Sequence, residues 1–493
     1  MLGGCFALAF PLFYFRGIGV FDDSLFLRFG ELVVDGFLPY RDLFDNKPPG
    51  IFYLSAIIAV ISDGHWSTPR TFLFLWGIIF GLGVTRFVQN RWGSLAALSS
   101  ALVFGLSYPI AQGYSLHTEQ FCATFSFAAL AVVSTNQKNS LKRWLASGFL
   151  VGIAFQFKQP AAIFVLPFVV GALIDSRYRR KPLTEFLSKT FVYLLGFLSV
   201  QCFVLIGVVY LGIFKQYFEA TVTNALYMSG LPFNALIAIK LWFRVPAIAL
   251  AFLAVILVLL SKRLRIDVYY GDYKKAVVIS TLAGVVALLP TLRIGFEHGH
   301  YAGMSIPFLC VLVGVVVSKM VGIQKWTTAK MMVSRKSIVF ALLVLTLPYA
   351  IGIVWGGSKF VYEETLNADL KEWKEIKVFI AANSEKESKL LCLSSSRAPQ
   401  CYYMVKKWPT TRYLFYWVNT EGLFSIADAT KMLLNRETGV AAVEVSHENG
   451  VCESLKITAN DCLELFKTYS VHTPRNPDYS RFGTKFAVLI RRM

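Results

Sequence analysis

Apolar runs long enough to cross a lipid bilayer recur along this chain and then stop near Gly357. A spanning helix needs roughly 20 predominantly apolar residues. Segments 191–213 (VYLLGFLSVQCFVLIGVVYLGIF) and 241–261 (LWFRVPAIALAFLAVILVLLS) supply them plainly. The pattern predicts eleven spans, at about 2–20, 70–88, 94–110, 119–135, 143–157, 160–174, 190–212, 236–261, 276–292, 301–318 and 337–356. Two other apolar segments do not suit a span. Residues 50–62 (GIFYLSAIIAVIS) are too short to cross. Residues 24–37 (SLFLRFGELVVDGF) mix Leu, Val and Phe with Arg28, Glu31 and Asp35, as a helix lying in the headgroup plane does. The loop 21–69 therefore reads as two surface helices joined by a turn at Pro39-Tyr40-Arg41-Asp42.

Beyond residue 357 the pattern changes to that of a soluble α/β domain. Helices are predicted over 370–383 and 424–435, and strands over 389–395, 439–446 and 485–492. The predicted organisation is a membrane domain over 1–357, with 21–69 as its outer loop, and an extracytoplasmic α/β domain over 358–493. Leu2-Gly3-Gly4-Cys5 looks like a lipoprotein cleavage box but lacks the basic start and apolar run that precede one. Residues 1–20 read as an uncleaved first span, with no basic residue before Arg16, which leaves room for a start upstream.

Only 16% of the residues are charged, against about 25% in a soluble protein, which agrees with a polytopic membrane protein. The net charge of +19 raises nucleic acid as a partner. No basic stripe with stacking aromatics supports that reading, so no nucleic-acid partner is expected. The basic residues crowd instead into alternate short loops. One set holds Arg86 and Arg91; Lys138 and Lys142; Arg177, Arg179, Arg180, Lys181 and Lys189; 262–275; and 319–336. The positive-inside rule makes that set cytoplasmic. The 21–69 loop and the tail then face outward. Cys5, Cys122, Cys202 and Cys310 lie in apolar segments as small core residues. Cys392, Cys401, Cys452 and Cys462 lie in the tail without CxxC spacing, which argues against zinc. Outside the cell they can form two disulfides. Three pairings are open, with Cys392–Cys401 and Cys452–Cys462 favoured.

The first loop carries five aspartates, one glutamate, two arginines and a lysine within residues 21–50. On the expected topology other unusual polar residues gather at the same outer face: His117 and Glu119 in GYSLHTEQF, Lys158 and Gln159 in FQFKQPA, and Arg293, Glu297, His298 and His300 in RIGFEHGHY. An ionisable group at membrane depth costs roughly 2.5–3.5 kcal/mol on insertion scales, so each is a functional candidate. Lys158 stands out, with apolar runs on both sides. Each also has a plainer reading. Paired aspartates can form an interfacial turn, Glu119 can cap a helix, and two histidines alone make a weak metal site. Acids beside several cations at a lipid-embedded opening suit a phosphate-bearing lipid substrate. Cations hold the phosphate and neutralise the leaving group, and a carboxylate acts as general base.

These residues resemble the pattern of GT-C-fold glycosyltransferases of the protein O-mannosyltransferase-like superfamily, bacterial lipid A aminoarabinose transferases among them. That pattern has an acidic pair after the first helix, a Gly-x-x-x-Tyr-Arg-Asp-like turn, and Lys-Pro-Pro. Here these are Asp22-Asp23, Gly36 to Asp42, and Lys47-Pro48-Pro49. Glu119, Lys158, Gly299-His300-Tyr301, and Tyr402-Tyr403 with Pro409 to Tyr413 resemble later parts of it. The chain departs from it at Asp23, where Glu is usual, at Phe26 for a Tyr, and at Leu25 for an Arg. Arg28 is a candidate replacement for that Arg.

The resemblance implies a GT-C fold and transfer of a sugar, with inversion, from a polyprenyl-phosphate donor. The acceptor would be extracytoplasmic: lipid A or another glycolipid, a polysaccharide or a protein. Asp22 would be the general base, with Asp23 and Glu119 as further catalytic acids. Lys47, Lys158, Arg28 and Arg41 would bind the donor phosphate. Tyr40, His117, Gln159, Arg293, His298, His300 and Tyr301 would line the substrate pocket. No cofactor is required and no residue is assigned to a metal, although a divalent ion stays open. The implied location is a bacterial inner membrane, with membrane lipids as the surroundings and the tail covering the outer cavity or shaping the acceptor site. The rivals from other classes are a lipid or solute transporter or flippase, which the missing repeat disfavours, and a non-catalytic assembly subunit.

Overall fold

The computed structural model describes residues 2–15, 21–62, 67–134, 141–178, 182–223, 235–260, 274–292, 299–322, 341, 344–355, 365–385, 387–394, 398–411, 426–445, 451–472 and 485–492. The chain packs into two compact units. One comprises Met1–Phe13, Asn46–Ile51 and Arg70–Ser358; the other comprises Tyr14–Asp45, Phe52–Pro69 and Lys359–Met493. The linear division expected at 357/358 is therefore crossed by the first loop, most of which clusters with the tail.

The first unit is helical. Its elements are α1 (Leu2–Phe15), α4 (Ser67–Ile110), α5 (Thr118–Val133), α6 (Leu141–Phe155), α7 (Val165–Tyr178), α8 (Leu183–Tyr210) and later helices over Ala235–Arg244, Pro246–Leu260, Lys274–Val286 and Ile306–Gly322. Among the described residues, five helical stretches are long and apolar enough to cross a bilayer. The predicted spans 70–88 and 94–110 run into one another as α4, kinked at Gly93 with φ 83° and ψ −179°. That backbone conformation is open to glycine and strained for other residues. The span expected over 236–261 is not straight. It breaks before Pro246 and bends by 97°, because proline has no N–H for the helix ladder and clashes with the preceding turn.

Polar contacts hold the helices together. Cys122 Sγ donates to the Ala154 carbonyl at 3.2 Å, and Ser100 Oγ to the Cys310 carbonyl at 2.7 Å. Near the other end of α7, Asp175 accepts from Lys189 at 2.6 Å and pairs with Lys275 at 3.3 Å. A partly buried carboxylate with two lysines keeps its charge compensated.

The second unit contains the two first-loop helices and the tail. Helix α2 (Phe21–Val34) and helix α3 (Gly50–Ser62) fall where the sequence places surface helices, and the turn between them is marked by Tyr40 at φ 70°. They differ in burial. From Asp23 to Gly30 every residue of α2 is buried, whereas α3 exposes Tyr53, Ile57, Val60 and Ile61. That spacing makes one apolar stripe. The tail forms a four-stranded sheet of order β1-β2-β4-β3, with β1 (Leu390–Leu393) parallel to β2 (Val440–Val445). Strand β4 (Lys485–Arg491) runs antiparallel to both β2 and β3 (Tyr469–His472). Leu391, Leu433, Val443, Leu465 and Leu489 are buried in its core. The helices predicted at 370–383 and 424–435 are present as Thr365–Asn383 and Ile426–Leu434. Cys392 is bonded to Cys401 and Cys452 to Cys462.

Candidate active site

In the first unit the chemistry gathers where helices begin or fail. His117 caps the start of α5 in an extended conformation. Glu119 follows in the first turn, where the helix dipole favours an acid, and is 2% exposed. Helix α6 ends at Phe155, and the chain passes through extended Lys158 into a 3-10 turn over Gln159–Phe164 with Pro160 near its start. This break points Lys158 at Glu119, with which it forms a buried ion pair. The Lys158 ammonium also lies 4.1 Å from the centre of the Tyr301 ring.

A second 3-10 turn, Gly299–Ser305, carries His300. Its Nε2 is 3.9 Å from a Glu119 carboxylate oxygen. The His300 ring stacks on that of His117 with centroids 4.0 Å apart and planes 13° from parallel. Gln112 Oε1 joins both imidazoles, at 3.1 Å from His117 Nε2 and 3.2 Å from His300 Nδ1. Thr118 Oγ1 donates to the second Glu119 oxygen at 3.1 Å. Gln120 bonds the Ser115 carbonyl at 2.8 Å and accepts from Tyr108 OH. The ring nitrogens of His117 and His300 and the Glu119 carboxylate are groups of a kind that can serve a divalent ion.

The Lys47 turn docks on the Lys158 break. Gly50 N–H donates to the Gln156 carbonyl at 2.8 Å. Gln159 Nε2 donates to the Asn46 carbonyl and, at 3.2 Å, to the Thr221 carbonyl. Asn46 and Gly50 flank Lys47-Pro48-Pro49, so this segment and Gln156–Gln159 form one local structure.

In the second unit Asp22 is half-buried and Asp23 is buried, both in the first turn of α2. Arg28, Arg41 and Tyr40 are engaged within this second unit. Arg28, expected on the donor phosphate, donates to Glu31 and to the Lys407 carbonyl, each at 2.8 Å. Lys406 reaches the same Glu31 carboxylate, and burial lowers its affinity for a proton against the pull of Glu31. Arg41 is exposed and forks onto Asp42 at 2.7 and 2.8 Å. Tyr40, expected in the substrate pocket, is 1% exposed and packs edge-on to Phe52 at 5.6 Å. Arg293, Glu297, His298, Arg412 and Tyr413 lie outside the described residues.

The fold has counterparts among solved structures. Over 99% of this chain and 96% of the other, the fold matches ArnT from Cupriavidus metallidurans bound to undecaprenyl phosphate, with a TM-score of 0.60 at 14% identity. The chain has the GT-C glycosyltransferase fold. The archaeal oligosaccharyltransferase AglB from Archaeoglobus fulgidus, in complex with an inhibitory peptide and a dolichol-phosphate, matches with a TM-score of 0.54 at 11% identity, over 98% of this chain and 73% of AglB. The arabinofuranosyltransferase AftD from Mycobacteria matches at 0.52 and 11% identity, over the whole of this chain and 40% of its own length. By sequence, residues 46–210 match the family described as dolichyl-phosphate-mannose-protein mannosyltransferase. That stretch of the GT-C fold contains Lys47, His117, Glu119 and Lys158. No curated protein matches the chain by sequence.

Sequence reasoning missed Gln112 and Lys406. Both have positive φ, 60° and 62°, and neither interrupts an apolar run as Lys158 does. The faint signal for Gln112 is a polar amide directly before Gly113, between Pro109 and His117.

Proposed function

We propose that this protein is an integral-membrane glycosyltransferase that moves a sugar from a polyprenyl-phosphate donor to an extracytoplasmic acceptor, with inversion at the anomeric carbon. The acceptor hydroxyl oxygen attacks the anomeric carbon and the bond from that carbon to the phosphate oxygen breaks. The polyprenyl phosphate leaves with the electron pair, and Asp22 takes the hydroxyl proton. Lys47 and Lys158 neutralise the departing phosphate. Glu119 keeps Lys158 in place before the donor arrives, and His300 and Tyr301 wall the same site.

The observation that carries this reading is the docking of the Lys47 turn onto the segment that presents Lys158 to Glu119. The two segments that carry Lys47 and Lys158 thus meet in an apolar setting, where a charge is costly unless it is used. A lipid phosphate is the kind of group that lysines turned toward it would hold. Fixed cations of this kind act where charge develops on the leaving group. The bound undecaprenyl phosphate of ArnT and dolichol-phosphate of AglB support a polyprenyl phosphate as the ligand class. The cation-rich loops support an outward-facing site in a bacterial inner membrane, with residues 358–493 as the outer domain.

The test is Asp22→Asn in liposomes carrying a polyprenyl-phosphate sugar and a glycolipid acceptor. Transfer should be lost while donor lipid still binds. Retained transfer removes Asp22 as the base. Lipid movement across the bilayer without a new glycosidic bond would replace the whole reading with a flippase. Mass spectrometry of envelope glycolipids with and without the gene then identifies the sugar and acceptor.

A further inference from the structure

Helix α2, which carries Asp22 and Asp23, is gripped by a charged triad contributed partly by the tail. Arg28 Nη1 donates to Glu31 at 2.8 Å, and Lys406 pairs with the same carboxylate. Arg28 Nη2 donates to the Lys407 carbonyl at 2.8 Å. The Arg28 side chain is only 4% exposed and that of Glu31 20%. Lys406 directly follows the tail helix Ala398–Val405 and ends it in a left-handed conformation, its N–H on the Tyr402 carbonyl at 3.2 Å. That helix is itself tied to β1. Cys401 is bonded to Cys392, and Tyr402 OH accepts from the Cys392 N–H at 2.9 Å.

The same helix α2 is seated on α3. A Cβ at Gly30 would stand 2.2 Å from the Ser55 carbonyl oxygen, so the two backbones touch. Phe29 packs edge-on to Phe52 at 5.3 Å. Two sets of contacts, one apolar and one charged, thus define the axial rotation of α2 about two turns from its acidic pair.

A partly buried ion triad is a poor device for stability alone, since apolar residues of similar volume often serve as well. Its directional bonds do fix one orientation. We infer that Glu31 is a positioning residue: held between Arg28 and Lys406, it sets the rotation of α2 and hence the direction of the Asp22 and Asp23 carboxylates. The tail's part in the reaction is to supply Lys406 and the Lys407 carbonyl. This inference rests on the glycosyltransferase reading for its catalytic half only.

The experiment compares Lys406→Met, Lys406→Arg and Glu31→Gln in the full-length protein in liposomes. Hydrogen exchange over residues 21–34 reports the grip, and sugar transfer reports its consequence. Lys406→Met and Glu31→Gln should speed exchange in that segment. Both should lower kcat by about tenfold to a hundredfold, the scale of a misplaced catalytic group, with the donor KM changed by less than about twofold. Lys406→Arg should restore both. Unchanged exchange, a change in KM alone, or a loss of kcat that Lys406→Arg does not recover would each overturn the proposal. A wild-type protein that transfers no sugar would instead overturn the function proposed above, and the exchange measurement would still decide the grip.

Discussion

Lys158 and Glu119, 39 residues apart in the chain, close a buried ion pair at the point where α6 unwinds. The pair explains how each charge is tolerated in an apolar setting, and it separates stability from activity in a testable way. Lys158→Met leaves the Glu119 carboxylate buried without its ammonium, which costs about 3–5 kcal/mol. Adding Glu119→Met removes the stranded charge. The double variant should therefore melt closer to wild type than Lys158→Met does, giving a coupling energy of at least about 1 kcal/mol in the cycle. Sugar transfer should be lost in both. A double variant as unstable as the sum of the singles would show that the pair does not act as a unit.

Gln112 gives a second prediction. Its Oε1 accepts from His117 and His300 together, and the two rings stack. A shared acceptor favours the tautomer of each ring whose proton lies on the nitrogen beside it, Nε2 of His117 and Nδ1 of His300. Gln112→Leu should cost about 0.5–1.5 kcal/mol of stability, the net worth of an intramolecular hydrogen bond. It should also slow transfer by about tenfold or more, the scale of a mispositioned catalytic group. Nitrogen chemical shifts of the two labelled imidazoles should move together in the variant. Independent movement of one ring would mean that Gln112 serves that ring alone.

The contrast between these residues shows what the sequence made legible. Lys158 could be found because a lone cation between two apolar runs is expensive unless it is used. Asp22 and Asp23 could be found because charge crowds into a short loop beside a membrane helix. The bounds of α3 were visible, with Pro48-Pro49 directly before it, whereas α2, expected over 24–37, runs over Phe21–Val34 because the acidic pair forms its first turn instead of preceding it. Gln112 was not visible, since an amide in a polar loop carries no charge signal. Lys406 was hidden for the opposite reason: the tail contains many lysines, and only the fold selects the one that meets Glu31. Strand β3 was missed because it is a four-residue edge strand, Tyr469–His472, with Ser470 and Val471 exposed. Its pairing comes from β4, the next strand in the chain.

The turn between α2 and α3 should respond to pH. Asp42 accepts the Arg41 guanidinium fork and the Leu38 N–H at 2.8 Å. These bonds, led by the one from Arg41, hold its carboxyl below the ordinary value of 3.8. A group with a lowered folded-state value stabilises the fold fully above its unfolded value and loses that contribution as pH falls through the folded one. The pair is exposed, so solvent screening keeps its worth small. Wild type should melt slightly above Asp42→Asn at neutral pH, and the difference should vanish once the pH falls below the lowered value. A gap that persists in strong acid would assign the effect to packing instead.

The two tail disulfides should differ in what their removal affects. Each closes a short loop, with separations of 9 and 10 residues, for which constraint of the unfolded chain is worth about 2–3 kcal/mol. Cys452→Ser/Cys462→Ser should make the tail more sensitive to limited proteolysis and leave transfer near wild type, because that bridge joins Val451–Leu455 to Ala459–Thr468, far in sequence from the helix that meets α2. Cys392→Ser/Cys401→Ser should have the same effect on proteolysis and also slow transfer, because Cys401 lies in the helix that ends at Lys406. Equal transfer rates in the two variants would show that the sheet alone holds that helix, with no contribution from the Cys392–Cys401 bond.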